Sequence, residues 1–410
     1  MKGNHLALAL AFGATITAHK AVAEDSFLDG LQSMVTEGSA SLDLRYRYEF
    51  VDQDSFDEDA KASTLRSRLT LKSGNFGGFT ALIEFDDVTA IGPDDYNSTT
   101  NGKGEFPVVA DPEGTDFNQG WIQYASGDSK GTLGRQRIIH GNQRFIGGVA
   151  WRQNEQTYDS LRGQFKLFDS LDLDVAYVDQ VNRIFGPDDG AQPAEWEGDN
   201  LFARADLKLS ENHKLTGFGY LIDVEPIRDY PSGRAEDNSN TTFGVEYAGK
   251  LGPVNLMASY ATQSDSGDSN LDYDTDYLLL EGGTKLGVIG LKAGYEVLAA
   301  DNGVGFKTPL ATLHKFQGWA DKFLGTPPDG IEDIYVSVSG ALGPIKLAAI
   351  YHDFSAEDSS EDFGTELDLV ATWPIDKRFS LQAKFASFST DNEDRYDDTD
   401  KFWITAQLKL

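Results

Sequence analysis

Apolar and charged residues alternate one for one along much of this chain. In SLDLRYRYEF (41–50), Leu42, Leu44, Tyr46, Tyr48 and Phe50 share one parity, while Asp43, Arg45, Arg47 and Glu49 share the other. A strand sends successive side chains to opposite faces, so one face here is apolar and the other ionic. TLRSRLTL (64–71) sets Arg66 and Arg68 against Leu65, Leu69 and Leu71. LFARADLKL (201–209) sets Arg204, Asp206 and Lys208 against Leu201, Leu207 and Leu209. KFWITAQLKL (401–410) closes the chain in the same way.

Two kinds of connection separate such segments. Short ones read as tight turns, among them SGDSKG (126–131), KLGP (250–253) and ALGP (341–344). Long ones are polar and acidic and fall at 90–115, 139–155, 182–198, 225–238, 301–330, 355–362 and 390–399. About eighteen alternating segments lie between them, each close to the length of roughly ten residues that crosses a bilayer as a tilted strand. An even strand number with short turns on one side and long loops on the other predicts an all-β fold. It is a transmembrane antiparallel β-barrel, closed so that no strand edge meets lipid. Alternation is weakest at 116–126, 213–224 and 271–287, which leaves sixteen strands open as the alternative. A soluble β-sandwich also alternates, but here the second face is ionic within the strands and aromatics gather near strand ends.

Composition sharpens this picture. Lys2, the run LALALAFGATITA (6–18) and Ala21-Val22-Ala23 read as a secretory signal peptide over 1–23. Residues 24–38 then form a short periplasmic segment ahead of a barrel over 39–410. The chain has no cysteine, so it offers no disulfide or thiolate metal site. Its net charge of -31 speaks against nucleic acid. The surroundings it implies are outer-membrane lipid and lipopolysaccharide; a periplasmic partner is not readable.

Arginine on the lipid face costs roughly 2–4 kcal/mol at mid-bilayer. Arg45, Arg47, Arg66, Arg68, Arg162 and Arg204 oppose apolar rows and are expected to line the lumen. Arg135 and Arg137 are placed inside by the same cost. Arg144, Trp151 and Arg152 belong to a loop expected to fold inward. Asp159 shares the parity of Leu161, which aims it at lipid. Inward acids such as Asp43, Glu49, Glu84, Asp86, Glu246, Glu296, Glu366 and Asp368 offer the arginines partners across the lumen. Around 134–162 arginine outnumbers acid, which points to a positive patch suited to bidentate carboxylate binding.

The stretch GRQRIIHGNQRFIGGVAWRQNEQTYDSLR (134–162) resembles the signature of the alginate-export family of outer-membrane porins. Gly134, Arg135, Gln136, Arg144, Gly147, Trp151, Arg152, Tyr158, Asp159 and Arg162 fill its places. A second stretch, 308–340, is similar to members of the broad family rather than to dedicated alginate exporters. The resemblance implies an eighteen-stranded barrel whose arginine-rich constriction passes anionic polymer or oligomer.

In LHKFQGWADKF (313–323), Leu313, Phe316, Ala320 and Phe323 recur at helical spacing. His314, Lys315 and Trp319 are the candidates there for narrowing the pore, against the plainer reading of a loop packing its own small core. The acid runs 52–59, 271–277 and 391–398 read as solvated loops rather than calcium sites. HExxH does not occur, and GDSKG (127–131), though of the form GxSxG, falls in a stretch read as a tight turn, so no enzyme, metal or cofactor is expected. The residues thus suggest a passive channel for anionic solutes, acidic saccharides or organic acids. A general or cation-preferring porin with salt-bridged arginines is the alternative. A structural or adhesive barrel, favoured if loops 139–155 and 301–330 fill the lumen, is a third reading.

Overall fold

The computed structural model describes residues 24–227 and 234–410. The expected leader lies outside the described residues. One helix, α1 (Glu24–Thr36), precedes the sheet. The strands β1 (Ser39–Gln53), β2 (Ala60–Lys72), β3 (Phe79–Asp95), β4 (Gly114–Ser126) and β5 (Ser129–Gln136) come first. Next come β6 (Thr157–Phe168), β7 (Leu171–Asn182), β8 (Glu195–Ser210), β9 (His213–Ile222) and β10 (Asn240–Leu251). Then follow β11 (Val254–Asp265), β12 (Asp274–Leu286) and β13 (Ile289–Leu298), with a two-residue hairpin of β14 (Ala300–Asp301) and β15 (Val304–Gly305). The last are β16 (Ile331–Leu342), β17 (Ile345–Ser355), β18 (Asp362–Pro374), β19 (Phe379–Thr390) and β20 (Thr399–Lys409).

All but the small hairpin join one eighteen-stranded antiparallel sheet, in which β1 pairs with both β2 and β20. The sheet is therefore closed, and every wall strand has a partner on each side. Leu42 and Leu410 seal the seam by exchanging backbone hydrogen bonds of 3.0 and 2.8 Å. Eighteen strands, not sixteen, is the number. No described helix is long and apolar enough to cross a membrane.

Burial runs opposite to that of a soluble protein. On β16, Ile334, Val336 and Val338 are exposed while Asp333 is buried; Glu366 and Asp368 of β18 are buried too. Apolar outside and ionic inside is what a lipid-embedded wall around a polar lumen requires. Tight turns close one end. In two of them Gly252 and Gly343, each at φ 59°, precede Pro253 and Pro344. Glycine opens such a two-residue hairpin turn because its first centre needs positive φ, and proline suits the second. The long loops gather at the other end, and two of them fold into the barrel.

Candidate functional site

The inward segments are 137–156, between β5 and β6, and 306–330, between β15 and β16. They are latched to each other before either meets the wall. Gly147 N–H donates to Leu310 O at 2.9 Å, Thr312 N–H to Gln143 O at 3.1 Å, and Lys315 Nζ to Asn142 O at 2.8 Å. Aromatic anchors hold each segment down. Phe145 packs on Phe218, Tyr220, Tyr277 and Phe306, and Phe323 packs on Phe354, Phe363, Phe388 and Tyr396. The helical spacing at 313–323 reflects this docking. Only a 3-10 turn forms, at Leu313–Lys315; Phe316 meets Arg144 of the other segment, 4.7 Å from its ring, while Phe323 enters the aromatic cluster of the wall. Loop packing, rather than a short plugging helix, is the outcome.

Three of the four arginines of β1 and β2, Arg45, Arg47 and Arg68, meet the first segment. Arg45 donates from each of its three nitrogens to that segment, to Gln153 Oε1 at 2.9 Å, Ala150 O at 2.8 Å and Arg152 O, and has no carboxylate within salt-bridge distance among the described residues. Arg47 is stacked on Trp151 with its Cζ 4.1 Å from the ring; Asp111 is 3.9 Å away, and Nε and Nη1 make no hydrogen bond. Arg66 reaches Asp43 at 3.2 Å. Arg68 forks onto Asp86 at 2.6 and 2.5 Å and lies 3.1 Å from Glu155. Arg137 joins the same knot through Glu84 and Glu155.

Farther round, Arg144 pairs with Glu296 at 2.9 Å and donates to Gln317 at 3.0 Å, tying one segment to the other and to β13. Arg152 bridges Glu49 at 3.0 Å and Asp321 at 3.5 Å. Arg162 forks onto Asp174, and Arg204 onto Asp206 at 3.2 and 3.0 Å. Most lumen arginines are thus ion-paired across the lumen wall.

Arg135 is the exception in direction. It pairs in register with Asp159, forks onto it at 2.8 and 2.9 Å, and lies 5.9 Å from the exposed Phe117 ring. Its neighbours on that face, Leu133 and Leu161, are exposed, so Arg135 stands on the outer face and not in the lumen. The lipid penalty that placed it inside falls to about 0–1 kcal/mol near the interfaces. β5 ends one residue later, and Asp159 removes much of what remains. The outward parity of Asp159 has the same explanation.

His314 is buried and stacked on Trp151 at 4.2 Å. Its Nδ1 faces Asp321 at 2.6 Å and its Nε2 faces Lys384 Nζ at 2.5 Å. Burial drives the imidazole well below its ordinary pKa, which suits a neutral ring accepting from Lys384. Lys315 is exposed and serves the latch. Trp319 is covered by Lys384, 3.5 Å from its ring, and its backbone N–H is held by Glu366.

Above the latched segments lies a cavity of about 720 Å³ at the long-loop end. Among its lining residues the cations are Arg152, Arg183, Lys322, Arg395 and Lys401, against the carboxylates Asp321 and Asp397. Phe56, Phe185 and Tyr396 add apolar surface. Lys322 Nζ lies 3.0 Å from Thr399 Oγ1, 4.0 Å from Asp397 and 5.8 Å from the Phe388 ring. Sequence reasoning passed over Arg183, Lys322, Asp321 and Lys401. All but Lys401 stand on loops, where no periodicity marks direction, and Lys401 was visible only as an inward position of the last strand.

A closed eighteen-stranded wall with an apolar exterior, an ionic interior and inward loops defines an outer-membrane channel. Residues 37–308 match the family model for alginate export, and the chain belongs to that family of outer-membrane porins. Solved structures share the fold. Acinetobacter baumannii OccAB2 aligns at a TM-score of 0.71 and 14% identity, over 92% of this chain and 99% of that one. Pseudomonas aeruginosa OpdK, solved with vanillate, aligns at 0.69 and 12%, over 91% and 98%. Pseudomonas aeruginosa OccK3 aligns at 0.67 and 15%, over 94% and 99%. No protein of curated function matches the sequence.

Proposed function

We propose that this porin passes small organic anions and gathers them in the cavity above its latched loops. The carrying observation is the basic excess of that lining, five cations to two carboxylates, in a chain of net charge -31. A cavity of about 720 Å³ is in the range of small-molecule sites rather than a track for a long polymer. Its aromatic rim suits an anion with an apolar body, a chemistry that vanillate, present in the OpdK structure, exemplifies. Below the cavity, Arg47 Nε and Nη1 at the Trp151 stack make no hydrogen bond among the described residues, with Asp111 3.9 Å from Nη1, a further attraction for a carboxylate. No catalytic step is part of this reading.

The ion pairing of most lumen arginines favours a second reading, a weakly selective or cation-preferring porin. The in-folded loops also suit a closed, structural barrel. One experiment separates the three: reversal potential across a planar bilayer under a salt gradient, for the wild type and for Lys322→Glu with Arg183→Glu. Anion preference that the double variant reverses supports the proposal. Cation preference indifferent to the variant supports the second reading, and absence of conductance the third.

A further inference from the structure

On its β20–β1 side the lumen is shut over a short height. Along β20 the inward side chains run from Lys401, which lines the cavity, through the buried Trp403 and Thr405 to Gln407, which is half-buried near the short-turn end. β1 repeats the order in reverse: Asp43 is half-buried, Arg45, Arg47 and Glu49 are buried, and Gln53 lines the cavity. Arg47 stands in register with Thr405, and Glu49 with Trp403. Over this closed level lies the indole of Trp151, which lines the cavity and meets both Arg47 and Trp403.

The backbone that carries this indole is clamped. Arg45 donates to Ala150 O at 2.8 Å and to Arg152 O, Val149 N–H donates to Thr312 Oγ1 at 3.1 Å, and Gln153 N–H donates to Asp111 Oδ1 at 2.8 Å. Val149 is held at φ 48°, a left-handed conformation that a β-branched residue rarely adopts, so the clamps impose the shape of the turn. The indole, by contrast, is only stacked. His314 lies parallel to it at 4.2 Å, and Arg47 Cζ and Lys384 Nζ each stand 4.1 Å from the ring. Its Nε1 makes no hydrogen bond among the described residues, and neither do Arg47 Nε and Nη1, Trp403 Nε1 or Thr405 Oγ1 at the level it covers. Stacking and cation–π attraction hold the level shut. The unpartnered donors oppose them, because each gains a partner once water reaches it.

We propose that the Trp151 side chain is the gate of this channel. On its fixed frame the ring turns up into the cavity, whose volume of about 720 Å³ leaves room for it, and opens the level of Arg47, Trp403 and Thr405 to water and solute. The gate rests on the reading that the barrel conducts and not on which ion it prefers.

Single-channel recording of the wild type, Trp151→Phe and Trp151→Ala in planar bilayers tests it. Closed intervals should be longest in the wild type, shorter in Trp151→Phe and absent in Trp151→Ala. Mean current per channel should rise about twofold or more across the series. The heat-modifiable band shows whether each variant has folded. Trp151→Phe, which keeps a ring on His314, carries the test should Trp151→Ala fail to fold. Segment 137–156 should stay resistant to trypsin throughout, because the frame is untouched. A silent wild type beside a conducting Trp151→Ala supports the gate. A rise in current that comes only with cleavage of the segment means that the frame has loosened, and overturns it. Equal current and equal closures in all three overturn the gate and leave the channel standing, whereas silence in all three overturns both.

Discussion

Arg135 and Arg137 are two residues apart and face opposite solvents. Arg135 stands on the outer wall, where one carboxylate, Asp159, meets it in register. Arg137 turns into the lumen and shares Glu84 and Glu155 with Arg68. On a continuous strand the two would share a face. The strand ends between them, at Gln136, and the chain's turn into the barrel reverses the second side chain. A charge on the wall is tolerable at shallow depth with one exact partner. A charge in the lumen is tolerable at any depth, but only inside a network.

Arg137→Ala should show the larger effect. It leaves Glu84 and Glu155 buried with Arg68 as their remaining cation, and breaking a buried pair costs about 3–5 kcal/mol. With Arg68 in place the low end, about 3 kcal/mol, is expected in the urea midpoint of the barrel's heat-modifiable band. A loss under ~1 kcal/mol would mean that water already screens the knot. Arg135→Ala should cost about 1 kcal/mol in the same assay. Replacing both members, Arg135→Leu with Asp159→Leu, should recover most of that loss. A double variant worse than the sum of its singles would place the pair in a polar contact rather than against lipid.

The smallest effect belongs to the mouth. Arg395 holds Asp329 at 2.8 and 2.9 Å and Glu361 at 2.8 Å, tying three loops together. Hydrogen bonding to Arg395 keeps the Asp329 carboxyl below its ordinary range. A depressed acid stabilises the fold above its unfolded pKa, and that contribution is lost as pH falls through the folded value. Protease nicking of loop 391–398 should therefore be flat from pH 7 down to about 4, and rise only below it. A rise near pH 6 would assign the link to another group.

The wall was largely legible because alternation survives wherever outward side chains are large. Where it weakened, the structure supplies reasons. At 116–126 a register shift opposite Glu84 and Phe85 inserts an extra residue at Asn118 and flips parity midway. At 213–224 the outward positions include Gly217 and Gly219, which carry no side chain to read. At 271–287 the first three residues belong to the loop. The lumen direction of Arg45, Arg47, Arg66, Arg68, Arg162 and Arg204 followed from the same rule. What escaped was everything a loop decides: that Arg45 clamps carbonyl oxygens, that Asp111 and Glu155 neutralise the β1–β2 arginines, and that Asp321 gathers Arg152, Lys401 and His314. Arg135 was misplaced although Asp159, aimed the same way, marked the pair in advance.

The seam between β1 and β20 sets an order of events. Seventeen of the eighteen junctions join wall strands consecutive along the chain, whereas the last brings Asp43 beside Lys409 and Gln53 beside Thr399. The entropy of closing a loop grows only logarithmically with its length, so so distant a meeting is thermodynamically modest. Its burden is one of time. Until the final strand is in place, the growing ribbon carries two unsatisfied edges that neither lipid nor water-free wall can pair, and the vessel is the last thing to exist.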